Sequence, residues 1–265
     1  MRSPSDIAVL FFGDIVGRVG RKSLEKILPV LKYRYGADLV IANSENATHG
    51  RGCSHEHYLE LLNAGVDIMT SGNHFFGTRD VFSENLDWSR QLRPINLAPE
   101  APLKGSDVFI AKGKKIRVIN VLGAVEMMGF YERPYPAIER ILKENTSNIV
   151  IVDFHGEATG EKVCTARALD GRVSLFVGTH THIQTSDERI LPKGTGYITD
   201  LGMCGLYESC LGAEPESAIK RTITMLPGPF NYPERGRGQV EGILAILSED
   251  GRCRSIERVR TLTEV

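Results

Sequence analysis

The stretch that decides the fold is Val177-Gly178-Thr179-His180-Thr181-His182. An apolar run over 173–177 reads as a buried strand that stops at Gly178. Two histidines follow, two positions apart. In extended backbone, residues i and i+2 face the same way. His180 and His182 are therefore expected to aim two imidazoles at one point. That point lies past a strand's carboxyl end, where α/β sheets bind ligands. An isolated His-x-His is equally well read as polar loop chemistry, so the other strand ends decide between the two readings.

Working back towards the N-terminus, the same feature recurs. Residues 7–12, Ile-Ala-Val-Leu-Phe-Phe, form a continuous apolar run of the kind buried on both faces. It runs into Gly13 and Asp14. A second strand over 39–42 leads into Asn43-Ser44-Glu45-Asn46. A third over 66–70 leads into Ser71-Gly72-Asn73-His74, where adjacent Asn73 and His74 are expected to face different ways. A fourth apolar run, 148–154, ends at His155-Gly156-Glu157. Each residue alone is an ordinary turn former. Five such ends in a chain holding seven histidines point instead to one polyvalent site.

Between these strands the spacing predicts helices over 22–34, 55–64, 78–85, 137–143, 161–169 and 217–226. Ser54 reads as the N-cap of the second, which puts His55 and His57 on the first turn of a surface helix. Cys53, His55 and His57 have the character of soft metal ligands, and that cap argues against the role. A short strand is expected over 95–97 and another over 195–199. Two hairpins are expected, 107–111 with 116–122 and 239–247 with 254–262. The whole reads as one α/β domain over 1–265, two β-rich layers with helices outside.

The bulk numbers exclude several classes. The 265 residues are 42% hydrophobic and 25% charged, with a net charge of -1. That is ordinary for a soluble globular chain. It offers no basic excess for duplex DNA or a membrane surface. Five scattered cysteines without a C-x-x-C pair favour a reducing, cytoplasmic setting over a disulfide framework. The N-terminal apolar run is too short for a signal or membrane span.

Asp14, Glu45, Asn46, Asn73, His74, His155, His180 and His182 exceed the three or four ligands that one cation needs. Such a set suits two cations about 3.5–4 Å apart. Its nitrogen and oxygen mixture suits Mn, Fe, Zn or Ni rather than Ca or Mg.

In this order, Asp14, Glu45-Asn46, Gly72-Asn73-His74, His155 and Gly178-Thr179-His180-Thr181-His182 resemble the calcineurin-like metallophosphoesterases. More narrowly they resemble the bacterial YmdB-type branch, whose members act as 2′,3′-cyclic nucleotide phosphodiesterases. Asp200 to Gly205 and Ile219-Lys220-Arg221 are similar to that branch as well. The resemblance implies a sandwich of two mixed β-sheets flanked by helices. It also implies roles. Asp14 and His182 would hold one cation, with Asn46 close by. Asn73, His155 and His180 would hold the second, and Glu45 would bridge them. His74 would act as an acid, not a ligand. The sequence departs from the wider superfamily at Val16, where a histidine is usual, and at Glu45, where aspartate is usual. Phe75-Phe76-Gly77 replaces the tryptophan and acidic residue often found after Gly-Asn-His in the branch.

The implied chemistry is phosphodiester hydrolysis by a hydroxide shared between two transition-metal ions, Fe or Mn first and Zn or Ni after them. His74 would protonate the leaving oxygen. Implied substrates are 2′,3′-cyclic nucleotides, related small diesters or short RNA ends. Arg51 and the loops over 129–136 and 203–214 are candidate substrate contacts. An amidohydrolase barrel also uses His-x-His and two metals, but its pair lies on the first strand. A metal-binding regulator with little turnover and a phosphomonoesterase of the same fold are the other readings. The final hairpin either closes a sheet or faces a second copy of the chain.

Overall fold

A computed structural model describes residues 2–129 and 132–265. Twelve strands and five α-helices are seen among them, and they alternate through most of the chain. They run β1 (Ile7–Val16), α1 (Gly17–Tyr35), β2 (Leu39–Asn46), α2 (His55–Ala64), β3 (Ile68–Thr70), β4 (Ser106–Ala111), β5 (Lys114–Leu122), α3 (Pro134–Lys143), β6 (Ile149–His155), α4 (Thr159–Leu169) and β7 (Leu175–Thr179). The chain continues through β8 (Arg189–Ile190), β9 (Gly196–Ile198), β10 (Met203–Leu206), α5 (Pro215–Thr224), β11 (Arg237–Leu247) and β12 (Cys253–Glu264).

The strands form two mixed six-stranded sheets. Their orders are β12-β11-β10-β1-β2-β3 and β4-β5-β6-β7-β9-β8. Strand periodicity explains the layers. Ile7, Val9 and Phe11 point between the sheets, where they meet Ile41, Ile116, Ile151, Val177 and Ile243. Ala8, Leu10 and Phe12, on the opposite face, meet Leu24, Leu28 and Leu31 of α1 and Leu61 of α2. On the second sheet Val150, Val152 and Phe154 pack against α3 and α4 through Ile138, Ala166 and Leu169. A strand covered on both faces reads as a continuous apolar run, as residues 7–12 of β1 and 149–152 of β6 do.

Strand β1 changes neighbour midway. Ile7 to Phe12 pair with β11, whereas Asp14 and Ile15 pair with β10. Gly13 sits at the changeover. A Cβ there would strike Gly202 O, so only glycine allows the two backbones to meet. The register shift beside it brings Asp14 level with Asn43 on β2. Strands β1, β2, β3, β6 and β7 all deliver their carboxyl ends to one edge, and the site lies there.

Most elements lie within a few residues of the sequence expectation. Helix α1 continues past Pro29, which is exposed on its solvent face. Two expectations fail. Residues 78–85 form no α-helix; short 3-10 turns at Phe75–Gly77 and Asp80–Phe82 stand there. Their polar side chains are used elsewhere: Thr78 Oγ1 donates to Cys53 O at 2.9 Å, and Asp80 accepts the His55 amide at 2.8 Å. Residues 95–97 form a turn, not a strand. The Asn96 side chain makes the ladder bonds instead, donating to Leu122 O at 2.8 Å and accepting from Leu122 N at 2.9 Å. An amidohydrolase barrel is ruled out by the two open sheets.

Candidate metal centre

All eight residues singled out from the sequence meet at that shared edge. Glu45 is the hub. It is 1% exposed, at the end of β2. Its Oε1 lies 3.3 Å from His155 Nε2, 3.4 Å from His74 Nδ1 and 3.1 Å from Asn46 Nδ2. Its Oε2 accepts the His74 amide at 3.0 Å. A Cβ on Gly72 would collide with Glu45 Oε2 and with the His155 ring, so the position is a cradle with room for hydrogen alone.

On one side of Glu45 stand His155, His180 and Asn73. Ligand atoms of Glu45, His155 and His180 all lie within 4.8 Å of one another, close enough to share one cation. His155 Nε2 is 3.0 Å from Asn73 Oδ1 and 3.0 Å from His180 Nδ1. Both imidazoles are held from behind. The Thr179 hydroxyl donates to Asp153 Oδ1 at 2.8 Å, so its oxygen accepts His155 Nδ1–H at 2.9 Å. His180 Nε2 faces Glu157 Oε2 at 3.2 Å. Such outer partners fix tautomers and leave the inner nitrogen bare for a cation.

On the other side stand Asp14, His182 and Asn46. Asp14 is fully buried, and Oδ2 accepts the His180 amide at 3.0 Å. Among the described residues its Oδ1 has no hydrogen-bond partner. It points between His155 Nδ1 at 3.8 Å and His182 Nε2 at 3.9 Å. An orphaned buried carboxylate oxygen is costly unless a cation completes it. His182 Nδ1–H donates to Leu211 O at 3.0 Å, which leaves Nε2 facing inward, 3.1 Å from Asn46 Nδ2. Asn46 Oδ1 takes His74 Nδ1–H at 2.7 Å.

The donor set around Glu45 therefore fits a metal ion. Protonation behaves as if a proton occupied a cation's place. His155 is buried, which disfavours its charged form, yet the nearby Glu45 and Asp14 carboxylates overcome this and raise it to about 9. Burial is the strongest influence on Glu45 and works to raise it. The charge and hydrogen bonds of His155, with those of His74, outweigh burial and hold Glu45 well below the usual range. Burial raises Asp14 to about 6, and His182 and His155 pull against it. Burial, reinforced by the charge on His155, pushes His180 down to about 3.

The sequence misjudged how the two histidines converge. His180 has φ 108° and His182 φ 64°, so the backbone is left-handed, not extended. The imidazoles do not share one point; they serve opposite sides of Glu45. Asn73 and His74 do engage different partners, but from a turn. Asp153, Thr179, Glu157 and Leu211 were missed, because partners remote in sequence leave no local pattern.

Cys53, His55 and His57 are not brought together. Ser54 Oγ caps α2 by accepting the His57 amide at 3.3 Å. His55 lies against Tyr58 and Trp88, and His57 Nδ1 pairs with Thr48 Oγ1 at 2.7 Å. Burial pushes the Cys53 thiol up to about 12, away from thiolate. Arg51 is exposed, and its stem packs on Gly77 beside the turn that follows His74. The 203–214 segment reaches the site through Leu211. Phe130 and Tyr131 of the 129–136 loop lie outside the described residues.

Two mixed sheets flanked by helices, with this cluster at the carboxyl ends of their strands, define a metallophosphoesterase. The model for the YmdB-like protein family matches residues 10–259, and the chain belongs to that family. It is 38% identical over 254 residues to the 2′,3′-cyclic-nucleotide 2′-phosphodiesterase of Bacillus subtilis (strain 168), covering 95% of this chain and 96% of that protein. Among solved structures it is similar to a novel phosphatase from Mycoplasma pneumoniae, at 34% identity and TM-score 0.92, covering 100% of this chain and 95% of that one. A hypothetical protein from Thermus thermophilus is similar at 37% identity and TM-score 0.88, covering 98% of this chain and 100% of that one. Among the described residues no helix is long and apolar enough to cross a membrane.

Proposed function

We propose that this chain is a dinuclear metal-dependent phosphodiesterase acting on 2′,3′-cyclic nucleotides or closely related small diesters, with residues 1–265 as its single domain. The observation that carries the reading is the buried ring of donors around Glu45, together with the unpartnered Asp14 Oδ1. The 38% identical cyclic-nucleotide phosphodiesterase supports the choice of substrate.

Asp14 and His182, with Asn46 beside them, would hold one cation. Asn73, His155 and His180 would hold the second, with Glu45 shared between the two. When bound, the ions would supply Lewis acidity that activates water and takes up phosphoryl charge; the nitrogen and oxygen donors suit Mn, Fe, Zn or Ni, and the family resemblance favours Fe or Mn.

His74, hydrogen-bonded to Glu45 and Asn46 but not itself a ligand in this reading, supplies the proton. Its Nδ1–H is committed to Asn46 Oδ1, so the imidazolium form would give its Nε2–H to the leaving ribose oxygen and be left neutral. The side chain is about one-third exposed, as a group that meets substrate must be. The hydrogen bond that the His74 backbone N–H donates to Glu45 Oε2 ties the acid to the bridge. Arg51, whose stem lies against Gly77 in the turn after His74, would meet a phosphate oxygen of the substrate.

Protein reconstituted with Mn²⁺ is tested on 2′,3′-cAMP, 3′,5′-cAMP and a phosphomonoester side by side. Preferred turnover of 2′,3′-cAMP is expected. Preference for the monoester moves the reading to a phosphatase of the same fold. Loading without turnover of any of the three leaves a metal-binding regulator.

A further inference from the structure

A buried ion pair lies beneath the histidine turn, and none of the roles above uses it. Lys162 of α4 and Asp200 are both 0% exposed. Lys162 Nζ donates to Asp200 Oδ2 at 3.0 Å and to Thr179 O at 3.0 Å. The same Asp200 Oδ2 accepts the Thr181 amide at 3.1 Å, and Oδ1 accepts the Gly202 amide at 3.0 Å. Between them, the His180 amide goes to Asp14 Oδ2. Three successive backbone groups are thus fixed by Lys162, Asp14 and Asp200. The strand below is pinned too, because Leu201 N donates to Gly178 O at 2.9 Å.

These bonds fall where the backbone needs them. Non-glycine residues in left-handed conformation persist only where the surroundings over-determine them, and here two stand in three positions. A fully buried lysine is expensive, and the best-attested return on a buried charge pair is specificity of arrangement rather than stability.

We propose that Lys162 and Asp200 are positioning residues. They form a clamp that holds residues 179–181 in the form that turns His180 towards His155 and His182 towards Asp14 and Asn46. The inference rests on reading the cluster as a metal centre.

The test compares wild type, Lys162→Met, and Lys162→Met with Asp200→Asn. Mn²⁺ binding is followed by calorimetry and the melting temperature of the metal-free protein by circular dichroism. Lys162→Met strands a buried carboxylate and is expected to melt roughly 10 °C lower. The double variant removes both charges and regains most of that loss. Its Mn²⁺ affinity nevertheless stays about 10- to 100-fold below wild type, the range typical of lost outer-sphere support. A double variant that melts near wild type and binds Mn²⁺ as tightly overturns the proposal, leaving the pair a structural element. If the double variant does not fold, Asp200→Glu decides. It keeps the charge but displaces the carboxylate from the Thr181 amide. Affinity then falls at least tenfold if the clamp positions the turn, and unchanged affinity overturns it. Wild type that binds no Mn²⁺ refutes the metal centre itself, a result distinct from either.

Discussion

The two halves of the site are built differently. His155 and His180 belong to the second sheet and are each backed by another side chain, the Thr179–Asp153 pair and Glu157. Asp14 and Asn46 belong to the first sheet, and the imidazole opposite them, His182, is backed by the carbonyl of Leu211 in a loop. Val16, where relatives in the wider superfamily carry a histidine, packs against Gly212 of the same loop. One half is braced by side chains, the buried Thr179–Asp153 pair and the exposed Glu157; the other leans on a loop carbonyl. If the two halves hold one cation each, as proposed, this difference predicts two unequal affinities.

The largest effect is expected at the bridge. Glu45→Ala should empty at least one position by elemental analysis and lower kcat/KM by about 10⁴-fold or more, since both halves depend on it. Two retained ions would refute the bridge and with it the division into halves. Next, His74→Ala should lose about 10²–10⁴-fold in kcat while keeping both ions. Loss of metal in that variant would make His74 a ligand.

Thr179→Val sharpens the comparison. It leaves the His155 Nδ1–H without its acceptor and should weaken the braced half by about 10- to 100-fold in metal affinity, with the Asp14 half little changed. Equal weakening of both steps in a calorimetric titration would show that the halves are not separable. The pH dependence gives the smallest signal. Metal-free His155 keeps its proton up to about 9, and Asp14 keeps one up to about 6. A cation must displace these protons, so affinity should climb as pH rises from 6 to 9, with proton uptake by buffer at pH 7. A flat profile would mean that the ions bind elsewhere.

The sequence made the site more legible than its supports. Every ligand candidate follows an apolar run, because a strand buried on both faces leaves its polar residues at the end. That is a local pattern and can be read. The bracing of His155 by Thr179 and Asp153, and the left-handed turn at His180 and His182, come from chain segments that meet only after folding. The failures at 78–85 and 95–97 have the same origin. Asp80 caps a helix twenty-five positions away, and Asn96 replaces a strand's ladder bonds, so local propensity was overruled by distant partners.

Glu45 comes from the first sheet, whereas His155 and His180 come from the second. An ion gripped by all three is therefore a rivet through the seam between the layers. Binding that favours the folded state stabilises it in proportion to the logarithm of ligand concentration. Chelation should loosen this edge first: exchange of amide hydrogens near β2 and β7 should quicken on EDTA treatment, well before the opposite edge responds.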